Sequence, residues 1–453
     1  MWARLDARLE RDVVRPVALA LSGGGDSVAL LALAADWARA RGRRLLALTV
    51  DHGLNPDSAD WTRRAGETAR ALGADWRALR WDRPQGGPGV QARARAARHA
   101  LIAEAARGAG AKVVLFAHTA DDIAEAEWMR AEGSTLGRVR EWAPSPAWPA
   151  GRGLMLLRPL LDVSRAALRD ELVRRGLDWI EDPANADPAY GRSRARAALL
   201  TKALPLEGGG LGGGEGAAFT RWAQEAAPPP ERDPEPLRAH PHPRPFPPRG
   251  GRELSAEFAW AGVLALSRDV AAATLAAGLV CAGGGCVPPR GDRLAALMAR
   301  LAGDQDFTAA LCGARVEAKG ASVRLMREAG EYGRRGEPTL ALIPDLPAVW
   351  DGRFEITAAE AGWRVLPAAG RLAGLNPADR RALQGLPAAA RPGLPVLMRD
   401  DADGPVLAWR VAKVRALVRE RLGLATDETT HEGDLSDAAH GASPPNDLFS
   451  AER

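Results

Sequence analysis

A short apolar run, Val17-Ala18-Leu19-Ala20-Leu21, ends on Ser22-Gly23-Gly24-Gly25-Asp26-Ser27, and that hexapeptide opens directly into a helical run, VALLALAADWARA. Few folds accept such a junction. Strand, glycine turn and helix in immediate succession gather backbone N–H groups and a helix N-terminus at the end of one strand, an arrangement suited to a polyphosphate. The loop lacks the Lys of G-x-x-x-x-G-K-[ST], which argues against a P-loop kinase or GTPase. Glycines alone are weak evidence, because a structural turn is the standing alternative. The embedded Asp26 favours the ligand reading, because its carboxylate is placed to meet Mg²⁺ or a reacting group.

The pattern after this junction alternates short β-rich runs with longer helical stretches. Strands are predicted at 17–21, 45–50, 76–81 and 113–117, with helices near 26–40, 58–72 and 92–109 and another beginning near Asp121. This is the signature of an α/β domain with a doubly wound parallel sheet, whose ligands lie beyond the carboxyl ends of the strands. The phosphate loop falls at one such end, and Asp51-His52 and His118 at two others.

At 453 residues the chain is too long for one ordinary core, and smaller helical and α+β domains are expected to follow. The boundaries read as 1–204 for the first domain, 205–253 for a Gly/Pro/Arg-rich linker or insertion, 254–333 for a middle substrate-binding domain, 334–426 for a C-terminal α+β domain and 427–453 for a disordered tail. Within these, 254–303 reads as helical, Ala314 to Met326 as short strands, and VAKVRALVRERL as the helical end of the C-terminal domain. Charges interrupt the first sixteen residues, and no apolar run is long enough to cross a bilayer, so a cytoplasmic protein with no membrane partner is expected. Cys281, Cys286 and Cys312 suit neither a disulfide framework nor a C-x-x-C metal site. Net charge is +4, carried largely by Arg, whose planar fork suits phosphate.

Further segments sharpen the reading. Asp51-His52-Gly53-Leu54 is followed by VQARARAARHALIAEAA, AHTADDIAEAEWMR, LLRPLLDVSRAALRDEL and WIEDPANADPAYGRSRAR. With the S-G-G-x-D-S form of the hexapeptide, their order and spacing resemble the tRNA(Ile)-lysidine synthetases, a branch of the ATP pyrophosphatases that cleave ATP between its α and β phosphates. The resemblance covers residues 16–200 strongly and reaches WDGRFEI and GLPVL more weakly.

What the resemblance implies is a two-step ligation on an isoleucine tRNA bearing a CAU anticodon. The wobble cytosine's C2 oxygen attacks the α-phosphorus of ATP, and the side-chain amine of L-lysine then displaces AMP. ATP and Mg²⁺ are the implied cofactors, and a homodimer is compatible with these partners. Ser22, Gly23, Gly24, Gly25, Asp26, Ser27, Asp51 and His52 match nucleotide-binding positions, with Asp26 also the metal position. His118, Asp122, Glu125, Arg95 and Arg192 match positions that handle ATP and lysine, with Asp26 a sixth catalytic candidate. Arg98, Asp182, Asn185 and Arg196 match substrate or tRNA positions. Asp122 and Glu125, three apart, share one helix face, and Asp121 points elsewhere.

Thr119, Ile123 and Ala126 depart from the family's second His, Gln and Thr, while His99 and Ser193 replace its Tyr and Asn. Two alternatives therefore stand beside the ligase reading. One is another tRNA-modifying enzyme of the same loop type; sulfur insertion, for instance, needs cysteines near the nucleotide, and the first 280 residues contain none. The other is an inactive tRNA-binding relative, which has no reason to retain every charged site position.

Overall fold

The computed structural model describes residues 1–82, 90–133, 139–182, 191–203, 257–399 and 404–435. The linker at 205–253, Asn185 and the tail beyond 435 lie outside these. The chain divides into two compact units, residues 1–239 with 429–435 and residues 240–428 with 436–453.

The first unit is built on a six-stranded sheet in the order β3-β2-β1-β4-β6-β5. Its strands are β1 (Val17–Ala20), β2 (Leu45–Asp51), β3 (Asp75–Arg80), β4 (Val113–Leu115), β5 (Trp142–Pro144) and β6 (Met155–Leu157). Five run parallel, and β5 closes one edge antiparallel to β6. The helices are α1 (Trp2–Arg8), α2 (Gly25–Ala40), α3 (Ser58–Ala71), α4 (Val90–Gly108), α5 (Ala120–Ala131), α6 (Arg165–Arg174) and α7 (Gly191–Ala203). All four predicted strands and the four predicted helices are present within a few residues. The pattern does not reveal β5 and β6, since three residues are too few to display a period.

β1, β2 and β4 read as near-continuous apolar runs because both faces of the sheet are covered. Val17, Ala18 and Leu19 are fully buried, as are Val113 and Leu115. α2 is apolar nearly all round, with Leu30, Leu31 and Trp37 inaccessible to solvent, so it is held by packing and not by an amphipathic face. Strand order reverses between β1 and β4. The crevice at that switch point receives the loop after β1 and the start of α5 after β4, and so decides where a ligand can sit.

One sequence expectation is corrected here. Residues 427–435 are ordered, and 429–435 pack onto the first unit. The Glu432 carboxylate accepts both terminal nitrogens of Arg43 at 2.9 Å, each side chain 0% exposed, and also the Glu10 N–H at 2.9 Å. Trp142 Nε1 donates to Thr430 Oγ1 at 3.1 Å, Arg8 donates to the Thr430 carbonyl at 2.7 Å, and Lys112 donates to the Leu435 carbonyl. Polar composition suggested disorder, yet a few polar side chains with buried partners suffice to fix this strap.

The second unit has two cores. An antiparallel sheet of Leu264–Ser267, Ser322–Arg327, Ala314–Lys319 and Phe307–Leu311 packs with helices Ala272–Ala282 and Gly291–Leu301 around Leu275, Leu279, Val316 and Leu325. Two smaller sheets, Leu340–Ala341, Arg364–Pro367, Pro395–Met398 and Val406–Leu407 beside Ala348–Trp350, Phe354–Ala358 and Ala412–Ala416, enclose Trp350, Phe354, Val365 and Val396. The helical readings need two corrections. Leu264–Ser267 is a strand inside the stretch read as helical, and the first half of VAKVRALVRERL is a strand paired with Phe354–Ala358. Only Val418–Thr426 is helical, and its Val418 and Leu422 join the first of the two cores.

Candidate active site

The hexapeptide turns tightly after β1. Ser22 and Ser27 face each other, Oγ to Oγ at 3.0 Å, and Ser27 Oγ donates to the Gly24 carbonyl at 2.8 Å. Gly23 has a φ of +85°, and a Cβ there would come within 2.6 Å of Ile180 Cδ1. Ile180 N donates to the Gly23 carbonyl at 2.9 Å, and Trp179 lies against Gly25. Residues 179–180 therefore shape the loop from a position far along the chain, and Asp182 follows two residues later. Gly25 begins α2, so the loop's N–H groups and the helix N-terminus coincide, as an anion requires.

Asp26, in the first turn of α2, meets the face of α5 across the crevice. Its Oδ2 accepts from Arg165 Nε at 3.1 Å. Burial pushes the Asp26 carboxyl up, and the Arg165 guanidinium offsets this only in part. Asp122 and Glu125 do share one face of α5, and that face is met by Arg192 and Arg196, four apart on α7. Arg192 Nη1 donates to Asp122 Oδ1 at 2.8 Å, and Arg196 Nε to Glu125 Oε1 at 3.0 Å.

Thr119 occupies a departure from the family pattern and has a defined job. It is the N-cap of α5, and its N–H and hydroxyl both donate to Asp122 Oδ2, at 2.9 and 3.0 Å. Burial pushes the Asp122 carboxyl up, but the Thr119 N–H and the Arg192 and Arg165 charges outweigh it and hold it low. Glu125 is 1% exposed; both of its arginine bonds go to Oε1, while Oε2 is buried with no hydrogen-bond partner among the described residues.

His118 accepts from Arg158 Nε at Nδ1, 3.2 Å, which leaves its proton on Nε2. Burial and the Arg158 charge push His118 down to about 3, so it is neutral at physiological pH. Phe116 stacks between His118 and His99, with ring centroids 6.0 and 5.3 Å apart, and burial with the Arg98 charge also brings His99 down to about 3. Arg98 is lowered to about 10, by burial first and then by Arg95 and Arg192. Crowded cations of this kind fit an anionic ligand. His52 feels Arg98 as well and is lowered by burial and that charge, while Asp51 Oδ1 accepts from Gly53 N at 2.9 Å.

Every sequence-derived candidate within the described residues lies in the first unit, around the carboxyl ends of β1, β2 and β4 and the helices facing them. Two residues were missed. Arg158, directly after β6, sets the His118 tautomer. Arg165, the first residue of α6, bonds Asp26 and also donates from Nη1 to Glu125 Oε1 at 3.2 Å. Both were visible in LLRPLLDVSRAAL, but nothing in spacing pairs Arg165 with an aspartate 139 residues away.

A profile of the PP-loop domain family matches residues 2–203. The tRNA(Ile)-lysidine synthase of Caulobacter vibrioides is 44% identical over 433 residues, which span 93% of this chain and 96% of that one. The chain belongs to the tRNA(Ile)-lysidine synthase family. Proteins of the same name from Brucella suis, 35% identical over 75% of this chain and 73% of theirs, and from Hyphomonas neptunium, 43% identical over 44% and 54%, are similar as well. The Ser22–Ser27 turn lies within the matched residues, and the fold is the α/β architecture expected from the sequence. Among the described residues no helix is long and apolar enough to cross a membrane.

Proposed function

We propose that this chain adenylates the wobble cytidine of a CAU-anticodon isoleucine tRNA and joins L-lysine to it, forming lysidine with release of AMP and pyrophosphate. The observation that carries the reading is the meeting of Asp26, at the phosphate loop, with Asp122 and Glu125 on α5 in one arginine-bridged cluster. Adenylation and amine transfer need their charged groups within one substrate's reach, and this cluster supplies them.

In this reading the Ser22–Ser27 N–H groups and the α2 N-terminus hold the ATP phosphates, and Arg95 and Arg98 face them from α4. Charge developing on the pyrophosphate side is met by groups already in place. His118, neutral with its proton on Nε2, is a hydrogen-bond donor to substrate. Glu125 Oε2, buried and without a hydrogen-bond partner among the described residues, accepts from the lysine ammonium and takes its proton so that a neutral amine attacks C2. Asp182 and Arg196 line the tRNA side, and Arg192 holds Asp122 in place.

The donor set fits Mg²⁺, which uses one or two carboxylates together with substrate phosphates. Asp26 would hold it, since Arg165 engages only Oδ2. When bound, it would neutralise charge on the leaving pyrophosphate.

The test is the product pair. With ATP, Mg²⁺, lysine and the tRNA, the purified protein yields AMP and pyrophosphate on a phosphate-resolving assay. ADP and orthophosphate would overturn the assignment.

A further inference from the structure

We propose that Arg165 is the positioning residue that couples the two half-reactions, fixing Asp26 and Glu125 in one spatial relation. The proposal rests on the functional reading above and assigns Arg165 a role that reading leaves open.

Arg165 stands at the start of α6, where its own backbone is held. Ser164 caps the helix by accepting from Ala167 N at 3.2 Å, and Arg165 N donates to Asp121 Oδ2 at 2.7 Å. Asp121, which faces away from the Asp122–Glu125 pair, thus anchors the helix that carries the bridging cation. From this anchored origin the guanidinium, 15% exposed, reaches two helices at once, Nε to Asp26 Oδ2 at 3.1 Å and Nη1 to Glu125 Oε1 at 3.2 Å. Nη2 lies 3.8 Å from Asp122 Oδ1.

The chemistry singles out arginine here. Three carboxylates drawn together in a half-dry crevice repel one another, and a cation among them is needed if they are to stay charged. A planar fork adds direction, because nitrogens fixed relative to each other set the distance and angle between two carboxylates on separate helices. A lysine in its place supplies the charge from one point and cannot hold both. Bonding to Arg165 through Oε1 also turns Glu125 so that Oε2 is left for the incoming amine. Arg192 and Arg196 each bind one carboxylate of α5 and neither bonds Asp26, so Arg165 joins the phosphate loop to the amine-handling face.

The experiment compares full-length wild type, R165A and R165K with ATP, Mg²⁺, radiolabelled lysine and the CAU tRNA. It reads pyrophosphate release, lysine transfer, the lysine KM, tRNA affinity and thermal stability. R165A is expected to slow both half-reactions by about tenfold or more and to raise the lysine KM, with tRNA affinity within about twofold of wild type. R165K is expected to fold as wild type does and to fall between the two, since charge without the fork restores only part of the geometry. R165A with kcat and lysine KM within about twofold of wild type, once corrected for folded fraction, overturns the proposal. So does R165K equal to wild type, which would make charge alone sufficient. If wild type releases AMP and pyrophosphate but incorporates no lysine while R165A still slows that release tenfold, the amine assignment falls and the coupling to Asp26 stands.

Discussion

Asp26→Asn lowers pyrophosphate release by on the order of a hundredfold or more, with saturating tRNA, ATP and Mg²⁺. Asparagine keeps the shape and removes the charge from a carboxylate that sits between a glycine turn and a helix N-terminus. There it faces Arg165 at 3.1 Å. Burial already works against its ionisation, so the carboxylate is sustained by the cation beside it and by any metal that accompanies the phosphates. Affinity for tRNA is expected to change little, since in the proposed reading Asp26 meets the phosphates and not the RNA. Glu125→Gln supplies the contrast. Its amide cannot take a proton from the amine, so lysine transfer slows more than adenylation does. Parallel loss of both half-reactions in E125Q, or near-normal pyrophosphate release by D26N, would refute this division of roles.

Glu432→Ala destabilises the first unit by about 3–5 kcal/mol, the cost of leaving a buried charge unpaired. Arg43 and Glu432 are both 0% exposed and bonded through two parallel contacts of 2.9 Å, so removing the carboxylate leaves a buried guanidinium with two backbone carbonyls but without its counter-charge. Glu10 N loses its acceptor in the same step. The check is urea unfolding followed by ATP binding, which reports on this unit. Arg43→Met combined with Glu432→Leu should recover most of the loss, because well-packed apolar groups replace a buried ion pair at little cost. A midpoint shift worth less than about 0.5 kcal/mol in E432A would mean that residues 429–435 are not held on this unit.

The contrast between these two predictions reflects what a sequence exposes. Asp26 was legible because its neighbours in the chain are its neighbours in space; strand, glycines and helix N-terminus are consecutive. The same holds for Asp122 and Glu125, whose helical spacing places them on one face, and for Arg192 and Arg196, whose spacing matches that pair from the opposite helix. Arg165 was not legible, because its meaning comes from α2 and α5, remote in sequence, and Arg43–Glu432 joins residues 389 apart. Thr119 was read as a loss relative to the family, and only its bonds to Asp122 show it to be a cap. In the second unit, VAKVRALVRERL is rich in helix formers, and its composition predicts a helix across Ala412–Ala416. Pairing with Phe354–Ala358 outweighed that preference.

Incubating the purified full-length chain with ATP, Mg²⁺, radiolabelled lysine and a CAU-anticodon isoleucine tRNA, then digesting the RNA to nucleosides, tests the central claim most directly. The account predicts label in a single modified cytidine at the wobble position, in amounts matching the AMP formed. Formation of AMP and pyrophosphate with no lysine in the RNA, or label spread over nucleosides other than the wobble cytidine, would contradict it.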